Sequence, residues 1–128
     1  MANTEIYFAP GPDAVFHAKL RDGHLEFQQC MNCEAFAFYP RVLCPVCGST
    51  NFAWKPATGR GIIYSFTIIR QRKELGGDYN IAVIELEEGV RMMSTVRYVP
   101  LSQLYIGMPV VAQIEDVEGQ AVVTFVRG

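Results

Sequence analysis

The sequence predicts a mainly β fold with a short N-terminal helix, a four-cysteine ribbon and a five-stranded barrel. Its four cysteines lie in two closely spaced pairs, and five segments of β-branched and aromatic residues follow them, separated by turn residues. The 128 residues are enough for one domain with a small second module. We expect an extension with the helix in residues 1–26, the ribbon in residues 27–57 and the barrel in residues 58–128.

The first element is predicted to be a helix that starts at residue 11 or 12 and ends near Arg21. Pro12 suits a first helical turn, Asp13 favours the positive end of the helix dipole, and Asp22-Gly23 is a stop signal. Such a short helix is marginal alone, so we expect it to pack on its own domain or on a partner. Residues 1–10 show no periodic pattern and are expected to be extended or poorly ordered.

All four cysteines fall in one motif, C-x2-C-x10-C-x2-C, formed by Cys30, Cys33, Cys44 and Cys47. Two such knuckles can bring four thiolates to one tetrahedral centre. A centre with four protein ligands has no open position, which makes it structural. We therefore predict a structural Zn²⁺ site in a rubredoxin-like ribbon. Disulfides and iron are the alternatives, and the absence of a visible secretory signal argues against disulfides.

Three short strands are predicted around this site, in residues 24–29, 35–39 and 51–54. Gly48 follows the last cysteine, where the turn needs a flexible backbone. In the first knuckle we expect Asn32 to take the left-handed conformation. Three short strands around one metal is the arrangement of a zinc ribbon.

The barrel strands are predicted in five segments: residues 62–70, 80–86, 91–98, 110–117 and 121–127. Glu88-Gly89 and Glu118-Gly119 are candidate hairpin turns, and Leu101–Leu104 could form a helical turn between the third and fourth strands. Five strands with an element in that place predict an OB-fold. An SH3-like barrel is the competing closure.

Charge and hydropathy restrict the function classes. Eleven basic residues against thirteen acidic ones give a net charge of −2, whereas proteins that bind phosphate backbones usually carry a basic excess. No apolar run approaches the roughly 20 residues that cross a bilayer. We therefore expect a cytoplasmic protein that neither enters a membrane nor depends on nucleic acid.

In order and spacing, the chain resembles the DUF35 family, whose members combine a zinc ribbon with an OB-fold and associate with acyl-CoA enzymes. The resemblance is carried by residues 23–30 (GHLEFQQC), 38–41 (FYPR), 44–49 (CPVCGS), Trp54, 59–67 (GRGIIYSFT) and 106–110 (IGMPV). One departure is Glu34, because a glycine is common there in the family. Another is the end of the chain, which lacks the proline-containing tail often found in the family.

The resemblance implies a non-catalytic accessory or scaffold subunit of a CoA-thioester enzyme, such as a thiolase-like acyltransferase or aldolase. Family members look like partners of thiolase-fold enzymes, and some work with enoyl-CoA hydratase-like proteins. The enzyme subunit would supply the reactive groups. The zinc-ribbon and OB chain would hold that subunit in shape or receive the acyl-CoA.

If acyl-CoA contacts this chain, arginine and lysine side chains suit its phosphates. The basic residues we single out for this role are Arg41, Arg60, Arg70, Arg72 and Lys73. A solvated loop is the simpler explanation for the last three. The two histidines, His17 and His24, have no free cysteine nucleophile beside them, and we expect no catalytic residues in this chain.

The main alternative is a single-stranded nucleic-acid-binding OB-fold protein, which would stack bases on aromatic side chains. The aromatic residues available for stacking are Tyr64, Phe66, Tyr79, Tyr98 and Phe125. The near-neutral charge argues against this alternative. A self-assembling structural protein is a third class.

Overall fold

The computed structural model of the protein describes residues 11–128. Two compact units are present: one ends at Pro56, and the other spans Ala57–Gly128. The limits 1–26, 27–57 and 58–128 stay predictions, and the extended segment expected in residues 1–10 lies outside the described residues. Within residues 11–128, no helix has both the length and the apolar character needed to cross a membrane.

Helix α1 (Pro12–Arg21) begins after Gly11 and ends at Asp22, as its sequence signals predict. Gly23 follows with φ 85°, a left-handed backbone that glycine adopts without steric cost. The helix buries Phe16 and Leu20. The Phe16 ring lies 5.6 Å from the ring of Phe38, so the helix belongs to the core of the cysteine-containing unit.

The first unit contains a three-stranded antiparallel sheet in the order β2-β1-β3. Its strands are β1 (Glu26–Cys30), β2 (Phe36–Ala37) and β3 (Phe52–Pro56). The second strand is shorter than the five residues expected. Phe38 leaves the sheet, and its ring stacks on Tyr39 and lies 5.8 Å from Phe27. Aromatic packing therefore ends the strand before Pro40.

The second unit is a five-stranded antiparallel sheet in the order β6-β5-β4-β7-β8. The strands are β4 (Arg60–Ile69), β5 (Tyr79–Leu86), β6 (Arg91–Ser94), β7 (Pro109–Val117) and β8 (Gln120–Arg127). The β4–β5 register shifts between Ile63 and Ser65, which marks a bulge where β4 bends. Ile63, Ile84, Met108, Val110 and Phe125 fill the core and are essentially inaccessible to solvent.

A parallel bridge between Val96 and Phe125 brings the third barrel strand against the fifth and nearly closes the barrel. The backbone N–H of Arg97 donates to the Phe125 carbonyl at 2.7 Å. Residues 95–97 make these contacts instead of continuing β6, which explains why that strand stops short of residue 98. The strand order with a parallel closure is that of an OB-fold, not of the SH3-like alternative.

The connections follow the turn signals. Glu118 and Gly119 both have positive φ, 53° and 81°, as a tight hairpin turn requires. Leu101–Gln103 forms one turn of 3₁₀ helix between the third and fourth barrel strands. A second such turn, Lys73–Leu75, lies in the β4–β5 connection.

Candidate metal centre

The two cysteine knuckles share one backbone hydrogen-bond pattern. In the first, the N–H of Glu34 donates to the Cys30 carbonyl at 2.8 Å, and the N–H of Cys30 donates to the Ala35 carbonyl at 2.8 Å. In the second, Gly48 and Cys44 form the equivalent bond, and Cys44 donates to the Ser49 carbonyl, both at 2.9 Å. Each knuckle thus holds its two cysteines on one tight loop, and the two loops face each other.

The four sulfur atoms come together at one point. Sγ of Cys30 lies 3.5 Å from Sγ of Cys47, and Sγ of Cys33 lies 3.6 Å from Sγ of Cys44. All four lie within 4.8 Å of one another. A tetrahedral centre with metal–sulfur bonds of about 2.3 Å has sulfur–sulfur edges of about 3.8 Å. The donor set and its spacing therefore suit a structural zinc ion.

Hydrogen bonds to sulfur prepare the second knuckle for cation binding. The side-chain amide of Asn32 donates to Cys47 Sγ at 3.5 Å and, with the backbone N–H of Ser49, lowers the pKa of Cys47 to about 6. Backbone N–H groups of Cys47 and Val46 lower the pKa of Cys44. Donors aimed at a sulfur stabilise its thiolate, which is the form that binds metal.

The close approach of the four sulfur atoms changes the pKa of Cys33. The backbone N–H of Ala35 lowers its pKa, but burial and the neighbouring sulfurs of Cys44, Cys47 and Cys30 together raise it to about 12. Four sulfur atoms at this spacing would repel one another if all were ionised, so one thiol of such a cluster resists ionisation. A divalent cation removes that repulsion, so the cluster is electrostatically suited to a cation.

The left-handed residue of the first knuckle is Glu34, with φ 67°, and the expectation for Asn32 was wrong. Glu34 occupies the position that Gly48, with φ 78°, occupies in the second knuckle. The backbone turns here because the N–H must reach back to the first cysteine of the knuckle. Asn32 instead uses its side chain to donate to Cys47.

We expect Glu34→Gly to raise the free energy of unfolding of the ribbon by about 1 kcal/mol, because a residue with a Cβ costs about 1–2 kcal/mol in the left-handed region. Urea unfolding at saturating zinc, followed by the fluorescence of the single tryptophan, Trp54, measures this change. Gly48→Glu is the matched control and should lower stability. A Cβ at position 48 meets no atom within 4 Å, so this loss is conformational. A less stable Glu34→Gly variant would contradict the account.

The five basic residues expected to contact CoA do not form one cluster. Arg60 and Arg70 lie at opposite ends of β4, up to about 33 Å apart at about 3.3 Å per residue. Arg60 pairs with Glu87 at 3.2 Å and Arg70 with Asp78 at 2.8 Å. The Arg70 guanidinium also lowers the pKa of Asp78.

Arg72 and Lys73 are exposed and form no ion pair within residues 11–128. Their loop is well hydrogen-bonded: Gln71 donates through its side chain to the Leu75 carbonyl at 2.8 Å and through its backbone to Asp78. Arg41 is exposed in the ribbon, and Gln28 holds its backbone by two hydrogen bonds, at 2.6 and 2.9 Å. The buried Gln28 was not singled out from the sequence.

Two of the aromatic side chains considered for base stacking are already engaged in other contacts. Phe125 is fully buried in the barrel core, which rules it out. The Tyr64 ring is covered by the Arg91 guanidinium at 3.8 Å. Tyr98 is 85% exposed and lies in the β6–β7 connection, outside the strands.

Two family models match the chain in succession. Residues 17–53 match "ChsH2, rubredoxin-like zinc ribbon domain", and residues 54–115 match "ChsH2, C-terminal OB-fold domain". A "DUF35 domain-containing scaffold protein" of Methanocaldococcus jannaschii is 32% identical over 104 residues, which cover 76% of this chain and 74% of that protein. The chain belongs to the DUF35 family.

Another relative is longer than this chain. A protein of Thermomonospora curvata named "Probable enoyl-CoA hydratase alpha subunit" is 29% identical over 101 residues. That match covers 77% of this chain but 32% of the relative, so the chain spans about a third of its length. Among solved structures, the chain resembles one from the "Ltp2-ChsH2(DUF35) aldolase", with a TM-score of 0.81 and 27% identity over 93% of this chain and 97% of that one.

Proposed function

We propose that this DUF35 chain is a non-catalytic accessory subunit of an enzyme that acts on CoA thioesters. Its partner in this proposal is a thiolase-like acyltransferase or aldolase, or an enoyl-CoA hydratase-like subunit, in the cytoplasm. One observation carries the proposal: nearly the whole chain superposes on the DUF35 chain of an aldolase assembly. Its relative in Thermomonospora curvata, named as a hydratase subunit, supports the same substrate class.

The chemistry of the described side chains supports an accessory role. With Cys30, Cys33, Cys44 and Cys47 as ligands, zinc has no open position for a substrate or water. His17 is engaged by its own helix, since its Nδ1 lies 2.9 Å from the Asp13 carbonyl and donates to it. Such a metal site stabilises structure, and the reactive groups are assigned to the partner.

The barrel carries a groove of about 510 Å³, which is large enough to hold a catalytic cluster. Ile62, Leu86, Val110 and other mostly apolar residues line it. Its charged residues include Arg60 and Glu87, which are paired with each other at 3.2 Å. No serine, threonine, cysteine, lysine or histidine is among its lining residues, which fits a subunit that leaves chemistry to another chain.

We place the contact with acyl-CoA at Arg72 and Lys73. Both are exposed and unpaired within the described residues, whereas Arg60 and Arg70 already neutralise carboxylates. The hydrogen bonds of Gln71 hold the loop in one shape, which reduces the entropy lost on binding. A guanidinium and an ammonium on consecutive residues suit a phosphate group.

We expect Arg72→Glu to raise the dissociation constant of CoA for the assembled complex about fivefold to tenfold, through loss of a charge-assisted hydrogen bond and addition of repulsion. Isothermal titration calorimetry of the complex with CoA measures the change. Arg21→Glu, an equal charge reversal at an exposed position of helix α1, is the control and should stay within about twofold of the wild type. Equal affinities of the wild type and Arg72→Glu for CoA would show that CoA does not bind at this loop.

Steady-state kinetics with acyl-CoA thioesters tests the accessory role itself. The purified chain should show no turnover alone, and adding it to the isolated partner should raise the activity or stability of that partner. Turnover by the chain alone, at a rate similar to that of the complex, would overturn the proposal. Salt-sensitive binding of single-stranded oligonucleotides would favour the alternative function.

A further inference from the structure

Strands β4, β5 and β6 share an outward surface, here called the outer barrel face. It is separate from the metal site and from the loop that carries Arg72 and Lys73, here called the basic loop. Ala82, Ile84 and Leu86 of β5 are buried, so the alternate residues 79, 81, 83 and 85 face outward. The register pairs them with Ile69, Thr67, Ser65 and Ile62 of β4, and it pairs Val83 with Met93 of β6. The apolar members of the face are Ile62, Tyr64, Ile69, Tyr79, Ile81, Val83 and Met93.

Several large apolar side chains of the outer barrel face are exposed to solvent. Met93 is 64% exposed, Tyr64 45%, and Ile62 and Tyr79 42% each. Isolated exposed apolar residues are common, but a face that gathers apolar residues from three paired strands marks an interaction site. Tyrosine and methionine are also enriched in protein interfaces relative to other surfaces.

The charges of the outer barrel face cancel within it. Arg91 pairs with Glu85 at 4.0 Å, and its guanidinium lies over the Tyr64 ring. A nucleic acid or an anionic membrane surface would need uncompensated cations on this face. An apolar and uncharged protein surface is the occupant that matches it in charge and polarity.

The position of the basic loop indicates which protein supplies this apolar, uncharged surface. β4 ends at Ile69 and β5 begins at Tyr79, so the loop that carries Arg72 and Lys73 joins the end of the outer barrel face. We propose that this face docks onto an apolar, uncharged patch of the CoA-thioester enzyme subunit, with Arg72 and Lys73 at the rim of the contact. The inference rests on the accessory function proposed above and assigns the surface that performs it.

Titration of variants against the enzyme subunit tests this docking surface. The subunit is the protein that copurifies with the wild-type chain, identified by mass spectrometry and purified on its own. Met93→Glu and Met93→Lys should each raise the dissociation constant at least thirtyfold, since either charge would be buried on binding. Ile106→Glu, at a site with 68% exposure in the β6–β7 connection, is the matched control and should stay within threefold.

Three results would overturn the inference while leaving the accessory function intact. They are wild-type affinity in both Met93 variants, an effect of only one sign of charge, and an equal loss in the Ile106→Glu control. Self-association of the wild-type chain that Met93→Glu abolishes, seen by analytical ultracentrifugation, would assign the face to a second copy instead. If the wild-type chain binds no CoA-thioester enzyme, the proposed function itself fails. Unchanged far-ultraviolet circular dichroism and melting temperature show that the variants are folded.

Discussion

Replacing Cys44 with serine is expected to release the metal and unfold the ribbon. Three thiolates remain, and the tetrahedral site loses a ligand that is 4% exposed and lies 3.6 Å from Cys33. Metal binding contributes about 10–16 kcal/mol to the folding of small four-ligand modules. The ribbon buries little else beyond Phe16, Leu20 and Phe27, so its core is too small to replace that contribution.

Zinc content per chain, measured by atomic absorption, and Trp54 fluorescence together report this outcome. The wild type should hold one zinc ion per chain, and a strong chelator should change its Trp54 emission as the Cys44→Ser substitution does. Thr50→Ala, an exposed change just after the second knuckle, is the control and should retain both properties. A Cys44→Ser variant with one tightly held zinc and wild-type unfolding would show that the metal assignment is wrong.

Asn80→Leu is expected to lower the free energy of unfolding of the barrel by about 3 kcal/mol. The Asn80 side chain is 4% exposed; it donates to the Val96 carbonyl and accepts from the Val96 N–H, both at 2.9 Å. The Thr95 hydroxyl donates to the Asn80 backbone carbonyl at 2.9 Å and lies 3.2 Å from the same side-chain oxygen. Leucine fills a similar volume but leaves two buried backbone groups unpaired, at about 1–3 kcal/mol each.

Denaturant unfolding followed by far-ultraviolet circular dichroism measures this loss. Asn51→Leu is the matched control: Asn51 is exposed, and its side chain forms no hydrogen bond within residues 11–128. A loss of less than about 0.5 kcal/mol is expected for that control. If Asn80→Leu were no more harmful than Asn51→Leu, the connection pinned by Asn80 would not be what closes the barrel.

Local signals were enough to predict most elements from the sequence. The helix begins after Gly11, the tight turn falls at Glu118-Gly119, and the 3₁₀ turn starts at Leu101, because capping and turn preferences depend on neighbouring residues. The closeness of four sulfurs was likewise predictable, since two short knuckles of equal spacing favour one centre.

Features that depend on distant contacts could not be predicted in this way. The second ribbon strand stops at Ala37 because Phe38 packs against Phe16 and Phe27, which the local alternation does not record. The third barrel strand stops at Ser94 because residues 95–97 bond to Phe125, which lies far along the chain in β8. The left-handed Glu34 was missed because asparagine is the more tolerant residue type there, while the knuckle geometry fixes the position.

The central claim is tested most directly by affinity capture of the tagged full chain from its source cells, with quantitative mass spectrometry of what is retained. The account predicts a near-stoichiometric thiolase-like or enoyl-CoA hydratase-like subunit that stays bound through gel filtration. Recovery of the chain alone, or with nucleic acid in place of such an enzyme, would contradict it.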